Sequence, residues 1–313
     1  MADVNYIFLL SLTIIVIGYV IKKLNIITEE NGKIVAKVIF NITLPAVILK
    51  ITSNIEFKMS LILLPIINIA FGFLMAAIGL IIFRNYSRET KGLILMTLIG
   101  FNVAHFSFPL VEGIWGDEGL ALIALVDAGN AFTIFVLCYI VGSIFAPNAN
   151  IDEKGIDFKD IGKRLFKSAP LLSYFSALFL NFSGIGESLP LFFWDLLDIL
   201  ARANTALSLL LLGIYLNFKF EKTEWTTIVK ILITRYSFGL LVGLLLFFFL
   251  PQNQFDILFR IIITISLIFP VGLALIPFSV EFEYNQKLIS IIANLTIILS
   301  FTLVWILILI LVG

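Results

Sequence analysis

The stretches LIGFNVAHFSFPL, residues 98–110, and LIFPVGLALIPF, residues 267–278, decide the fold of this chain. In the first, Pro109 follows Asn102 by seven residues; in the second, Pro277 follows Pro270 by the same interval. Both lie in segments otherwise apolar enough to cross a membrane. A proline ring removes one backbone donor and crowds the carbonyl four residues earlier, so each proline predicts a broken helix whose freed peptide groups hydrocarbon cannot satisfy. Such backbone is tolerated only where it is buried in protein or lines a wet cavity. Interrupted segments at corresponding places in two halves of a chain point to a transporter's substrate site near the bilayer midplane.

Composition agrees with a membrane location. Of 313 residues, 60% are hydrophobic and 13% charged, and the mean hydropathy is +1.09. So little polar surface cannot cover a soluble globule, and the chain reads as an integral membrane protein. A formal net charge of +0 and the absence of a long Lys/Arg run argue against a nucleic-acid partner. The single cysteine, Cys138, sits in apolar sequence and forms no intrachain disulfide or CxxC motif; packing is its expected role. The first apolar segment, residues 6–20, follows an acid and no basic cluster, so it reads as a retained helix rather than a cleaved signal.

A crossing of about 30 Å needs about 20 helical residues. Ten stretches qualify: residues 5–22, 33–51, 60–83, 91–115, 119–145, 168–182, 190–216, 226–250, 256–279 and 287–312. The polar interval 147–167 separates five segments, residues 1–146, from five more, residues 168–313, and is expected to be a cytoplasmic loop too short for a domain. Sixteen Lys and Arg residues, among them Lys22, Lys23, Arg84, Lys154, Lys159, Arg164, Lys219 and Lys222, fall in or beside the loops after the odd-numbered segments. Only Lys50, Lys58 and Arg260 fall on the opposite side. This bias predicts odd loops in the cytoplasm and both termini outside the cell membrane. Shifting the chain by 168 residues lays Phe101-Asn102-Val103 over Phe269-Pro270-Val271 and Pro109 over Pro277 without a gap. A five-segment repeat has an odd number of crossings, so its second copy is inverted.

At these residues the chain resembles the auxin efflux carrier family, which groups bacterial and archaeal organic-acid permeases with plant auxin exporters. The resemblance is carried by Asn102 with Pro109-Leu110, then Gly116-Asp117-Glu118-Gly119-Leu120, with Asp127 and Asn130 in the next segment. Phe40-Asn41-Ile42-Thr43-Leu44-Pro45-Ala46 adds an N-x3-P-A pattern, and Ile276-Pro277-Phe278 with Glu283-Tyr284-Asn285 resembles the ninth helix and its exit. Ser107 stands where a glycine is usual, and the seventh segment, from Asn204-Thr205-Ala206 to Gly213, lacks a proline many members carry. The resemblance implies an all-α elevator-like carrier with helices four and nine broken and crossed. Helices one, two, six and seven would form a scaffold, often dimeric, and three to five with eight to ten a moving transport domain.

Freed N–H groups and half-helix N-termini carry partial positive charge and suit a carboxylate. The expected passenger is therefore a small organic anion, a carboxylate or auxin-like acid, and the reading calls for no cofactor and no metal. Candidate substrate-binding residues are Asn102, His105, Ser107, Pro109, Pro270, Pro277, Asn41, Pro45 and Asn204. The Asn102 amide is suited to a substrate oxygen or to the loosened backbone. His105, the sole histidine, suits a pH-sensing or substrate contact, or a bond to a freed carbonyl. Asp127 and Asn130 share a helix face: proton coupling and bracing of the crossing stand beside a water-facing acid near the interface. Arg235 either snorkels to cytoplasmic headgroups or faces the crossing, where it would attract an anion. Asp198 and Arg202, at i and i+4, read as an internally neutralised pair beside Asp195. Rival readings are a membrane enzyme, an ATP-driven pump, a channel and a non-transporting sensor. One His and one Cys on different segments supply no catalytic set, and no phosphate-binding loop is present. The inverted plan does not suggest a filter repeated about an oligomer axis.

Overall fold

A computed structural model describes residues 3–56, 58–147, 158–217 and 225–312. In chain order the helices are α1 (Val4–Lys23), α2 (Glu29–Val38), α3 (Leu44–Thr52), α4 (Leu63–Ile82), α5 (Arg88–Ile99), α6 (Val103–Phe132) and α7 (Tyr139–Phe145). They continue with α8 (Phe158–Lys167), α9 (Ala169–Ser183), α10 (Leu191–Tyr215), α11 (Trp225–Phe249), α12 (Ile257–Ser266), α13 (Leu275–Glu281) and α14 (Gln286–Val312). The described residues contain no β-strand, only one isolated antiparallel bridge, Phe101 to Val271. Among the described residues seven spans are long and apolar enough to cross a membrane: Val4–Lys23, Glu29–Thr52, Met59–Ile82, Val103–Phe145, Leu191–Tyr215, Trp225–Phe249 and Gln286–Val312. Ala169–Ser183 and Ile257–Ser266 are shorter apolar helices.

Helix starts follow capping chemistry. Asp3, Thr28, Ser87, Ser168 and Asp256 each accept a hydrogen bond from a first-turn amide, and Thr28 closes a reciprocal box with Asn31. A π-helical turn, Ile39–Thr43, joins α2 to α3. Pro45 explains it: the ring lacks the N–H that would bond the Asn41 carbonyl, so the ladder loses its normal register there. Gly116 divides α6 into two limbs at φ 63° and ψ −150°, a conformation open essentially to glycine alone.

The helix breaks correct the proline reading. Pro109 lies inside α6 and Pro277 is the third residue of α13. The chain leaves helical geometry earlier, at residues 100–102 and again at 267–274. Pro277 falls in a first turn, where its missing N–H would have had no helical partner in any case. Pro109 costs α6 one bond to His105 without stopping the helix.

The polar interval also differs in part from a plain loop, because residues 158–167 form α8. Its sequence, FKDIGKRLFK, spaces basic and apolar residues at helical intervals. Lys154, Lys219 and Lys222, and residues 148–157 of the interval, lie outside the described residues.

The chain divides into two compact units. Unit 1 holds residues 1–61, 104–128 and 165–216. Within it α1 and α10 approach backbone to backbone: a Cβ on Gly18 would strike the Leu210 carbonyl, and one on Gly213 the Ile15 carbonyl. Unit 2 holds residues 62–103, 129–164 and 217–313. Residues 104–128 thus group with unit 1, whereas the family plan assigned the fourth and fifth segments whole to the moving domain.

Candidate functional site

The two interrupted stretches meet inside unit 2. Asn102 N–H donates to the Pro270 carbonyl at 2.8 Å, and Gly272 N–H donates to the Gly100 carbonyl at 3.3 Å. These bonds flank the Phe101–Val271 bridge, so each link satisfies backbone that the other exposes. Side chains of the following helices complete the accounting. Asn130 accepts from Phe101 N–H at 3.2 Å and donates to the Phe101 carbonyl at 3.0 Å. On α14, Thr296 accepts from Val271 N–H at 3.1 Å and Ser300 donates to the Ile268 carbonyl at 2.7 Å. Tyr236 donates to the Thr296 carbonyl at 3.0 Å and lies 2.8 Å from the Ser300 hydroxyl.

Arg235 does not snorkel. It is fully buried, and its guanidinium faces the paired links. Nη1 donates to the carbonyls of Thr97 and Leu98 at 2.7 and 3.0 Å. Nη2 donates to those of Gly100, Phe269 and Pro270 at 3.2, 2.8 and 3.2 Å. Thr97 and Leu98 belong to the last turn of α5, whose carbonyls have no helical partner. The guanidinium carbon lies 4.1 Å from the Phe101 ring centroid, a cation–π distance.

Asn102 takes the N-cap position of α6, yet no side chain caps that helix. The residue is 4% exposed and its Nδ2 has no partner. A buried amide donor left unpaired costs about 1–3 kcal/mol. Unit 2 therefore assembles Asn102, Asn130, Arg235 and Pro270 at one place, beside an uncapped helix N-terminus of positive partial charge.

The remaining candidates are distributed differently. Within unit 1, Asn204 is buried and accepts from the Thr43 hydroxyl at 3.0 Å. His105 is buried with its ring centroid 4.7 Å from that of Phe40, and its Nε2 has no partner. Ser107 is buried, Pro45 half-buried and Pro277 exposed. Asn41 is exposed and donates to its own helix at the Lys37 carbonyl, 2.8 Å away. Asp127 is buried and accepts from the Tyr174 hydroxyl at 3.0 Å. Asp198 bonds Arg202 at 2.7 Å as its spacing suggested, and it also bonds Lys50 at 2.6 Å.

Sequence reasoning passed over Thr296, Ser300 and Tyr236, and in unit 1 over Glu112, which accepts from Thr205 at 2.6 Å. The i, i+4 spacing of Thr296 and Ser300 in an otherwise apolar helix was the available signal for one polar face. Glu112 offered the signal of an acid within apolar sequence.

The described residues thus form an all-helical, multi-pass chain whose backbone interruptions pair within unit 2. The family model described as Membrane transport protein matches residues 7–308, so the chain belongs to that family, the auxin efflux carrier family. It is 30% identical over 217 residues to an uncharacterized transporter of Methanocaldococcus jannaschii, covering 67% of this chain and 68% of that protein. A second relative, an uncharacterized transporter of Methanothermobacter thermautotrophicus, is 26% identical over 216 residues, 67% of each chain.

Proposed function

We propose that this protein is a secondary transporter of a small organic anion, a carboxylate or auxin-like acid, and that the anion is held at the paired links of residues 100–102 and 267–274. The observation that carries the reading is the buried, unpartnered Nδ2 of Asn102 at the uncapped N-terminus of α6, beside the Phe101–Val271 bridge. Two kinds of hydrogen-bond donor converge there with one sign of partial charge, which is what a carboxylate requires.

In this reading the membrane is crossed ten times. The kink at Gly116 splits the long span, so that α5 with the first limb of α6 makes one crossing and the second limb with α7 another, while α9 makes one and α12 with α13 makes one. The shift of 168 residues then relates two inverted copies, with both termini outside the cell membrane. The first, second, sixth and seventh crossings, α1, α2 with α3, α9 and α10, act as the scaffold of a homodimer, and the third to fifth with the eighth to tenth carry the links in an elevator-like alternation. Asn41, Asn204, His105 and Ser107 of unit 1 are the further substrate-facing candidates, and Asp127 the candidate for proton coupling.

Counterflow of radiolabelled carboxylates in proteoliposomes tests this. Exchange of a labelled anion against the same unlabelled anion is expected. Binding without exchange would leave a sensor in place of a carrier, and exchange of neutral solutes alone would end the anion reading.

A further inference from the structure

The guanidinium of Arg235 is a full positive charge at 0% exposure, and every hydrogen bond it makes ends on a backbone carbonyl. Among the described residues no carboxylate pairs with it. A buried charge persists only where dipoles or a counter-ion offset it. Here the offset comes from the C-terminal end of α5 and from the carbonyls of the 267–274 link, which carry partial negative charge but no net charge. Among the described residues, the surroundings of the paired links thus hold one net positive charge that no acid pairs with. Its Nη donors are already engaged, and Nε has no partner. Phe101 lies against the guanidinium and is the same residue whose backbone forms the bridge.

We propose that Arg235 sets the charge selectivity of this site as a positioning residue. It ties the end of α5 to the 267–274 link, and its uncancelled charge favours an anion over an equally shaped neutral solute without contacting that anion. The inference rests on the preceding reading that the links hold the passenger. It differs from a purely structural staple in one respect: a staple needs the bonds, whereas selectivity needs the charge. In a water-poor interior a fixed charge acts on a neighbouring ion much more strongly than it does in water.

The test compares wild type with Arg235→Lys and Arg235→Gln, in detergent and in proteoliposomes. The probes are indole-3-acetate and succinate, each paired with its uncharged amide. Wild type is expected to bind at least one acid tenfold or more in preference to its amide. Arg235→Gln is expected to lose most of that preference, read as the ratio of acid to amide binding within the same protein. Arg235→Lys is expected to melt at a lower temperature, because one ammonium cannot span five carbonyls, yet to keep the preference. If Arg235→Gln fails to fold, the lysine variant alone decides, since a folded Arg235→Lys protein without acid preference overturns the proposal. An unchanged acid-to-amide ratio in Arg235→Gln overturns it equally. Wild type that binds neither acid defeats the anion reading itself, and this proposal with it; the two failures are told apart by which protein shows them.

Discussion

Asn130 clasps the backbone of Phe101 from both sides, accepting from its N–H at 3.2 Å and donating to its carbonyl at 3.0 Å. One carboxamide thereby replaces the two ladder bonds that Phe101 loses where the chain leaves helical geometry, so its removal leaves two buried backbone groups unmet. Each such group costs about 1–3 kcal/mol. Asn130→Ala is therefore expected to lower stability by a few times that of an ordinary surface substitution, read as a fall in melting temperature in detergent. Asn130→Val with wild-type melting would show that the clasp contributes little.

Asn102→Ala is expected to do the opposite to stability. Its Nδ2 is buried without a partner, and deleting an unmet donor removes a desolvation cost of about 1–3 kcal/mol. The variant should melt at or above the wild-type temperature while carboxylate uptake falls tenfold or more. Destabilisation together with normal uptake would assign Asn102 to the fold alone.

Tyr174→Phe removes the hydroxyl that donates to Asp127 at 3.0 Å. Leaving a buried acceptor unmet costs about 1–3 kcal/mol, so a clear melting shift is expected. Asp127→Asn should be milder, because an amide oxygen still accepts from Tyr174. If Asp127 takes part in proton coupling, Asp127→Asn also flattens the pH dependence of uptake in proteoliposomes, and an unchanged pH profile removes it from that role.

Gly213→Leu is expected to disrupt unit 1. A Cβ there already strikes the Ile15 carbonyl, and backbone cannot yield as a flexible side chain does. Overpacking of this kind costs about 1–3 kcal/mol or more. Loss of the folded fraction on size-exclusion chromatography checks it, with Gly186→Leu as a control, since a Cβ there meets nothing nearer than 3.6 Å.

The particular residues explain what could be read from sequence and what could not. Hydrophobic length located the helices that are long and apolar enough to cross a membrane, because burial in lipid acts on composition and needs no partner. The interruptions were assigned to the correct segments but to the wrong residues. Pro109 and Pro277 advertise lost bonds, whereas the actual departures at residues 100–102 and 267–274 depend on each other's backbone, as Asn102 N–H to Pro270 shows. Such pairing is tertiary and leaves no local mark. Arg235 was ambiguous for a similar reason: α11 is apolar on every side, so periodicity does not say which face turns inward. Thr296 and Ser300 gain their meaning from Val271 and Ile268, which lie in the link between α12 and α13.

The most direct measurement is an experimental structure of the protein with a brominated carboxylate bound, read by the anomalous signal of the bromine. The carboxylate is expected within hydrogen-bond distance of Asn102 Nδ2, beside the paired links of residues 100–102 and 267–274, with Arg235 behind them and out of contact. A carboxylate bound elsewhere, or links that sit apart with Asn102 turned away from the ligand, would contradict it.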